Sequence, residues 1–118
     1  MAQFMLILHG APNSLDKLSP TEIQSIIEKY GAWTGKMAAA GKLVSGQKLM
    51  DEGGKALSKS GDRLTVVDGP YSETKEVVGG YSVIEADTID EAVEVARTWP
   101  GVDRGWITME VRPVWDMS

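Results

Sequence analysis

The sequence predicts a single α+β domain in which two helices cover one face of an antiparallel sheet. Three observations carry this prediction: a chain of 118 residues, short apolar runs with strand-like patterns, and two segments of helical spacing that each begin with a capping signal. These segments follow one another as β-α-β, a hairpin, and again β-α-β. That order is typical of the split βαβ arrangement, here with an inserted β-hairpin. We therefore expect residues 1–118 to form one domain.

The first predicted strand, residues 3–9, is apolar on both of its faces. Its alternating side chains form two sets, which are Phe4, Leu6 and Leu8 on one face and Met5 and Ile7 on the other. Because both helices are expected on the same side of the sheet, one face of this strand lacks a cover within the chain. A second subunit supplies that cover, so we expect a homodimer.

The first predicted helix begins at Ser19 and ends at Gly41. Ser19 is the expected N-cap, Pro20 suits the first helical position, and Glu22 completes a capping box. The apolar stripe that follows consists of Ile23, Ile26, Ile27, Tyr30 and Met37. Trp33 lies off the strict isoleucine stripe, and two roles remain open for it: lining a pocket or packing on the hairpin.

The remaining elements follow from the same signals. We expect strands at residues 43–50, 80–86 and 107–114, and hairpin arms at residues 55–60 and 63–68 around Gly61. A second helix should begin at Thr88, since Glu91 completes another capping box. Its predicted apolar stripe consists of Ala92, Val93, Ala96 and Trp99.

The most informative stretch is residues 66–76, where an apolar strand leads onto the turn Asp68-Gly69-Pro70. A phenol, two hydroxyls, an ammonium and two carboxylates follow within a few residues. Gly69 permits a positive φ or a close backbone approach, and Pro70 ends the strand. The segment is either a binding wall or an ordinary connection in which Asp68 accepts hydrogen bonds from loop amides.

The run Asp68-Gly69-Pro70-Tyr71, followed by Ser-Glu-Thr-Lys-Glu and then by Gly79-Gly80-Tyr81, resembles the signature of DGPF-domain proteins, a branch of the YCII-related family. The resemblance extends to residues 5–10 and 88–100 and so covers most of the chain. It implies a ferredoxin-like domain that forms a dimeric α/β barrel. It also implies a small cytoplasmic bacterial protein, of a kind often associated with extracytoplasmic-function sigma factors.

The chain departs from the YCII-related pattern in its first helix. Members of the YCII branch carry a histidine there, and a His–Asp pair suggests catalysis in that branch. Here the helix has no histidine, and Tyr30 lies in roughly that region. The departure puts the branch's acid–base chemistry in doubt for this protein.

Composition argues against several classes of function. The net charge of −5 and the scattered Lys and Arg residues argue against nucleic-acid binding. With no cysteine and one histidine, a zinc site and a disulfide framework are both unexpected. No window reaches the roughly 18 apolar residues of a membrane span, so we expect a cytoplasmic protein with no membrane contact. No motif requires a metal or another cofactor.

The candidate catalytic groups are His9 and Asp68, which would form a proton-transfer pair. The alternative for His9 is an ordinary strand-end histidine that is hydrogen-bonded to backbone. Lys75 either binds an anion or acts as an amine nucleophile, or else is a solvated lysine between two glutamates. The candidate ligand-binding residues are Trp33, Tyr71, Thr74, Lys75, Glu76 and Tyr81.

Two functions remain open. The first is a small-molecule-binding or regulatory dimer, and the alternative is a cofactor-free enzyme of the isomerase, lyase or oxygenase type that uses His9 and Asp68. The missing helix histidine and the lack of a strong nucleophile favour the first. In both cases we expect the site where the turn after Asp68 meets the end of the first strand.

Overall fold

The computed structural model describes residues 2–10, 18–50, 53–68, 77–103, 105 and 107–116. Two helices and six strands occur in these ranges. In chain order they are β1 (Ala2–Gly10), α1 (Pro20–Ala39), β2 (Leu43–Lys48), β3 (Lys55–Ser60), β4 (Arg63–Asp68), β5 (Val77–Ala86), α2 (Ile89–Arg97) and β6 (Thr108–Pro113).

The main sheet has four strands in the order β2-β5-β1-β6, and each neighbouring pair is antiparallel. With the hairpin set aside, this is the strand order of a ferredoxin-like split βαβ fold, in which the two helices connect strands that are not neighbours. Strands β3 and β4 form a separate two-stranded sheet between β2 and β5 in the chain. The predicted α+β architecture with an inserted hairpin is confirmed.

Both helices pack on the same face of the sheet. Leu6 and Ile84 in the central strands β1 and β5 are fully buried there. The core that joins sheet and helices consists of Phe4, Leu6, Trp33, Met37, Ile84, Ala86, Ala92, Val95, Ala96 and Trp99. The side chains of β6 that face this core are Met109 and Val111. The opposite face of the sheet has no helix over it in the described part of the chain.

Helix α1 begins with the predicted capping box. Ser19 Oγ accepts the amide of Glu22, and the Glu22 carboxylate accepts the amide of Ser19. The predicted apolar stripe was partly wrong, because Trp33 is buried whereas Ile27 is 56% exposed. The buried stripe advances in alternating steps of three and four residues and includes Trp33, and Ile27 lies to one side of it.

Helix α2 begins at its predicted cap. Thr88 Oγ1 accepts the amide of Glu91, but the Glu91 carboxylate accepts the amide of Asp87 and not that of Thr88. The Glu91 carboxylate therefore bonds the amide of the residue before the N-cap, whereas in a reciprocal capping box it would bond the amide of the N-cap itself. Val95 is fully part of the core, whereas the predicted Val93 is only half-buried.

The strand bounds agree with the prediction most closely in the hairpin. Its arms are those expected, and Gly61 in the turn has a φ of +61°, which suits glycine. Strand β2 ends at Lys48, two residues earlier than expected, and β5 begins at Val77, three residues earlier. The extension of β5 includes a bulge, which the alternation of side chains alone does not reveal.

Candidate functional site

The uncovered face of the four-stranded sheet, which we call the open face, is apolar at its centre. Met5 and Ile7 of β1 lie opposite Val83 and Tyr81 of β5, and these four side chains are half-buried. Paired residues of an antiparallel sheet share a face, so the four form one continuous patch. The expectation that the first strand is apolar on both faces is confirmed, and the described residues leave one of these faces uncovered.

His9 lies on the open face at the end of β1. Its Nε2–H donates a hydrogen bond to Oε1 of Glu110 over 3.0 Å. The His9 side chain is 28% exposed and that of Glu110 is 46% exposed. In a neutral imidazole this bond leaves Nδ1 as the proton-accepting nitrogen. Of the two roles left open for His9, the backbone-bonded one is not what the structure shows, since the partner is a carboxylate.

The register of β1 with β6 brings the two groups together. His9 lies opposite Thr108 and Ile7 lies opposite Glu110, so the imidazole and the carboxylate are diagonal neighbours on one face. The second oxygen of Glu110 lies 3.8 Å from Nε of Arg112, the next residue of β6 on this face. A row of imidazole, carboxylate and guanidinium therefore borders the apolar patch.

A β-bulge shapes the side of the site that faces β5. Leu8 lies opposite Gly80 whereas His9 lies opposite Val78, so Gly79 is the extra residue. The bulge brings Val78, which is 44% exposed, onto the open face beside the imidazole. The two glycines of the sequence motif, Gly79 and Gly80, therefore form the bulged backbone next to His9.

Asp68 ends strand β4 in the hairpin. Its carboxylate pairs with Nζ of Lys55 across the hairpin at 2.5 Å, and the two side chains are 89% and 60% exposed. No hydrogen bond within the described residues joins Asp68 to His9. The proton-transfer role of this pair stays a prediction.

The predicted ligand-binding residues fall into three groups: four outside the described residues, one on the open face and one in the core. Tyr71, Thr74, Lys75 and Glu76 lie outside the described residues, as does Gly69.

Tyr81 lies on the open face, on the same side of the sheet as His9. Trp33 lies in the core, where its indole N–H donates to Oγ1 of Thr98 over 2.8 Å and its ring contacts Trp99 at a centroid distance of 4.5 Å. Trp33 therefore packs against the residues that follow α2, whereas the packing expected from the sequence was on the hairpin. Its proposed ligand contact stays a prediction.

Glu110 is the site residue that sequence reasoning missed. Alternation in the last strand does place Glu110 on the face opposite Met109 and Val111. The pairing of β6 with β1, and its offset, decide which β1 side chain Glu110 meets. No local sequence signal carries that information.

Metal and membrane sites receive no support from the described residues. Among them, no cluster of three or more His, Asp or Glu side chains is arranged to hold a metal ion. None of the helices in the described ranges has both the length and the apolar character needed to cross a bilayer.

Comparison with known proteins identifies the family. The model of the YCII-related domain matches residues 2–118. The chain belongs to the YCII-related family. This agrees with the resemblance of the Asp68-Gly69-Pro70-Tyr71 segment to the DGPF branch.

One relative in sequence and one solved structure of similar fold show how far the likeness extends. An uncharacterized protein of Rhizobium meliloti (strain 1021) is 32% identical over 97 residues, which are 81% of this chain and 78% of the relative. Among solved structures, the chain is similar to 5-chloro-2-hydroxyhydroquinone dehydrochlorinase (TftG) from Burkholderia phenoliruptrix AC1100, in complex with 2,5-dihydroxybenzoquinone. The TM-score is 0.53 at 19% identity, over 98% of this chain and 95% of the other. That likeness shows a shared fold.

Proposed function

We propose that this protein is a single-domain, cytoplasmic homodimer of the α/β-barrel type that binds a small polar or amphipathic molecule between two open sheet faces. The observation that carries the proposal is the hydrogen bond of 3.0 Å between His9 and Glu110 beside an uncovered apolar patch. An oriented imidazole that is bordered by apolar surface is typical of a ligand site, because a few polar groups fix the orientation of a mostly apolar ligand.

The open face supports the dimer on physical grounds. Met5, Ile7, Tyr81 and Val83 stay in contact with water in the single chain, and burial of apolar surface contributes about 25 cal/mol per Å². Pairing of two such faces would remove these side chains from water without any change in the fold. The polar row of His9, Glu110 and Arg112 would then lie at the border of the enclosed space and supply both hydrogen-bond donors and acceptors.

A regulatory purpose for this binding is the part of the proposal that rests on resemblance. DGPF-domain proteins are often associated with extracytoplasmic-function sigma factors. We extend that association to this protein as a bacterial regulator, in which ligand binding to the dimer would accompany a sigma-factor system.

The second candidate function is a cofactor-free enzyme of the isomerase, lyase or oxygenase type. The His9–Glu110 pair favours it, since a carboxylate that holds one imidazole nitrogen prepares the other to accept a proton. That the solved structure of similar fold is a dehydrochlorinase also favours it. His9 would accept the proton, with Asp68 as its predicted partner in the transfer.

The dimer can be tested by replacing an isoleucine with lysine at each of two positions. Ile7→Lys places a charge on the open face, whereas Ile27→Lys places it on the exposed side of α1. Light scattering during gel filtration should give twice the chain mass for the wild type and for Ile27→Lys. Ile7→Lys should elute at the single-chain mass. A wild-type protein of single-chain mass at low micromolar concentration would contradict the proposal.

The site can be tested by calorimetric titration with 2,5-dihydroxybenzoquinone as the probe. His9→Ala and Glu110→Gln should each weaken binding by about 1–3 kcal/mol, since each removes a polar partner. Glu85→Gln is the matched control, because Glu85 lies on the same face at the other end of β5.

Equal affinities of the wild type and His9→Ala, with no turnover lost in the variant, would remove His9 from the site. If the protein is an enzyme, His9→Ala should abolish turnover and leave binding largely unchanged.

A further inference from the structure

The β3–β4 hairpin has an apolar face that nothing covers in the described part of the chain. Leu57 lies opposite Val66 on one side of the hairpin, with Leu64 next to them. These side chains are 61%, 53% and 62% exposed. Lys59 and the ion pair of Lys55 with Asp68 lie on the same side and flank these three residues. The other side of the hairpin has Ser58 and Thr65 at its centre and the exposed Val67 near its end. Leu57, Leu64 and Val66 thus form a contiguous apolar patch in water, which we call the apolar face of the hairpin.

Such a hairpin needs a partner in order to be stable. A two-stranded sheet alone is at best marginally stable in water. In the described ranges, β3 and β4 pack on each other and make no extensive contact with another element. The described part of the chain is also less compact than a globular chain of 118 residues. Its Cα radius of gyration is 16.2 Å, whereas a compact chain of this length has about 13.5 Å.

The open face alone is small for a permanent dimer. With strands about 4.8 Å apart and about 3.4 Å per residue, four strands of this length present roughly 400–550 Å². Two such faces would bury about 800–1,100 Å², while obligate homodimer interfaces bury about 2,000 Å² or more. A stable dimer of this chain therefore needs further contact surface.

We infer that the apolar face of the hairpin, formed by Leu57, Leu64 and Val66, packs against a second copy of this chain and extends the subunit interface. This inference rests on the proposed homodimer. The position of the hairpin supports it, because the chain enters the hairpin after β2 and leaves it before β5, which are neighbouring strands of the sheet. The hairpin is thus attached at the end of the sheet where Lys48 pairs with Gly80, close to His9 and the open face. An apolar face that is always exposed needs a partner that is always available. A second copy of the same chain meets this need, because every copy is accompanied by others.

Lysine substitutions along β4 provide the test. Leu64→Lys and Val66→Lys place a charge on the apolar face of the hairpin, and Thr65→Lys places it on the opposite face of the same strand. All three positions are exposed in the single chain, so we expect each variant to fold. Sedimentation equilibrium measures the dimer dissociation constant, which should rise about tenfold or more for Leu64→Lys and Val66→Lys. For Thr65→Lys it should stay within about threefold of the wild-type value.

Hydrogen–deuterium exchange of the hairpin amides gives a second measurement that needs no variant. Amides of β3 and β4 should become protected as the protein concentration rises through the dissociation constant. Unchanged dissociation constants in Leu64→Lys and Val66→Lys, with a dimeric wild type, would overturn this inference and leave the open-face dimer intact. If all three variants weaken the dimer equally, the contact does not depend on the apolar face of the hairpin, and the inference that this face packs on the second copy is overturned. A wild type of single-chain mass would overturn both the inference and the dimer.

Discussion

Replacement of Gly80 by alanine should destabilise the protein, because the new methyl group would overlap the backbone of the neighbouring strand. An ideal Cβ at this position lies 2.8 Å from the carbonyl oxygen of Gln47 and 3.4 Å from Cα of Lys48. Both atoms belong to the backbone of β2 and cannot rotate away. Strands β2 and β5 would have to separate by several tenths of an ångström, which weakens their hydrogen bonds.

The neighbouring Gly79 provides a matched control. An ideal Cβ there has only one atom within 4 Å, Nζ of Lys48 at 3.9 Å, and this is the end of a flexible side chain. Neither glycine has a positive φ. Gly79→Ala should therefore fit, and it should stabilise the protein by about 0.4–1 kcal/mol because alanine restricts the unfolded chain.

The expected cost of Gly80→Ala is about 1–3 kcal/mol, the usual range for forcing extra volume into packed structure. For a chain of this length that corresponds to a melting temperature roughly 4–12 °C lower. Thermal unfolding by circular dichroism, at one fixed protein concentration, measures both variants. Equal melting temperatures of Gly79→Ala and Gly80→Ala would refute the reasoning, and the second glycine of the motif would then require a functional explanation.

Two further substitutions test the roles of predicted site residues. Trp33→Phe should lower the free energy of unfolding by about 1–3 kcal/mol, because it removes the hydrogen bond to Thr98 and leaves a cavity. The control Tyr30→Phe should leave that free energy close to the wild-type value. Equal effects of the two variants would argue against a packing role for Trp33. Asp68→Asn should change stability by less than about 1 kcal/mol, since its pair with Lys55 is exposed. If Asp68 serves the site as predicted, the same variant loses ligand affinity or turnover while its urea midpoint is unchanged.

Local signals in the sequence predicted the elements well. The capping box of Ser19 and Glu22, the cap at Thr88 and the hairpin around Gly61 are each decided by residues within a few positions of one another. Such signals do not depend on the rest of the fold. The order of elements then restricts the architecture to very few arrangements. The fold class was therefore predictable.

The site was predictable only in part. Alternation placed His9 on the face of Met5 and Ile7, and the structure agrees. The carboxylate beside the imidazole is Glu110, about one hundred residues later in the chain, and only the strand register brings it there. Register is set by packing over the whole sheet, so a short sequence window cannot reveal it.

Trp33 shows a different limit. Its neighbours at helical spacing predict a stripe of isoleucines with the indole outside it. The helix is rotated so that Trp33 meets Trp99 and Thr98, and Ile27 remains in water. Helical spacing predicts which residues share a face, but the size and hydrogen bonding of a tryptophan decide which face is buried.

Native mass spectrometry of the protein as purified tests the central claim most directly. The account predicts a wild-type species at twice the chain mass of 12.8 kDa, with an additional small molecule bound. It predicts that His9→Ala remains a dimer and loses that molecule. A wild-type species at the single-chain mass, or a His9→Ala dimer that retains the same bound molecule, would contradict the account.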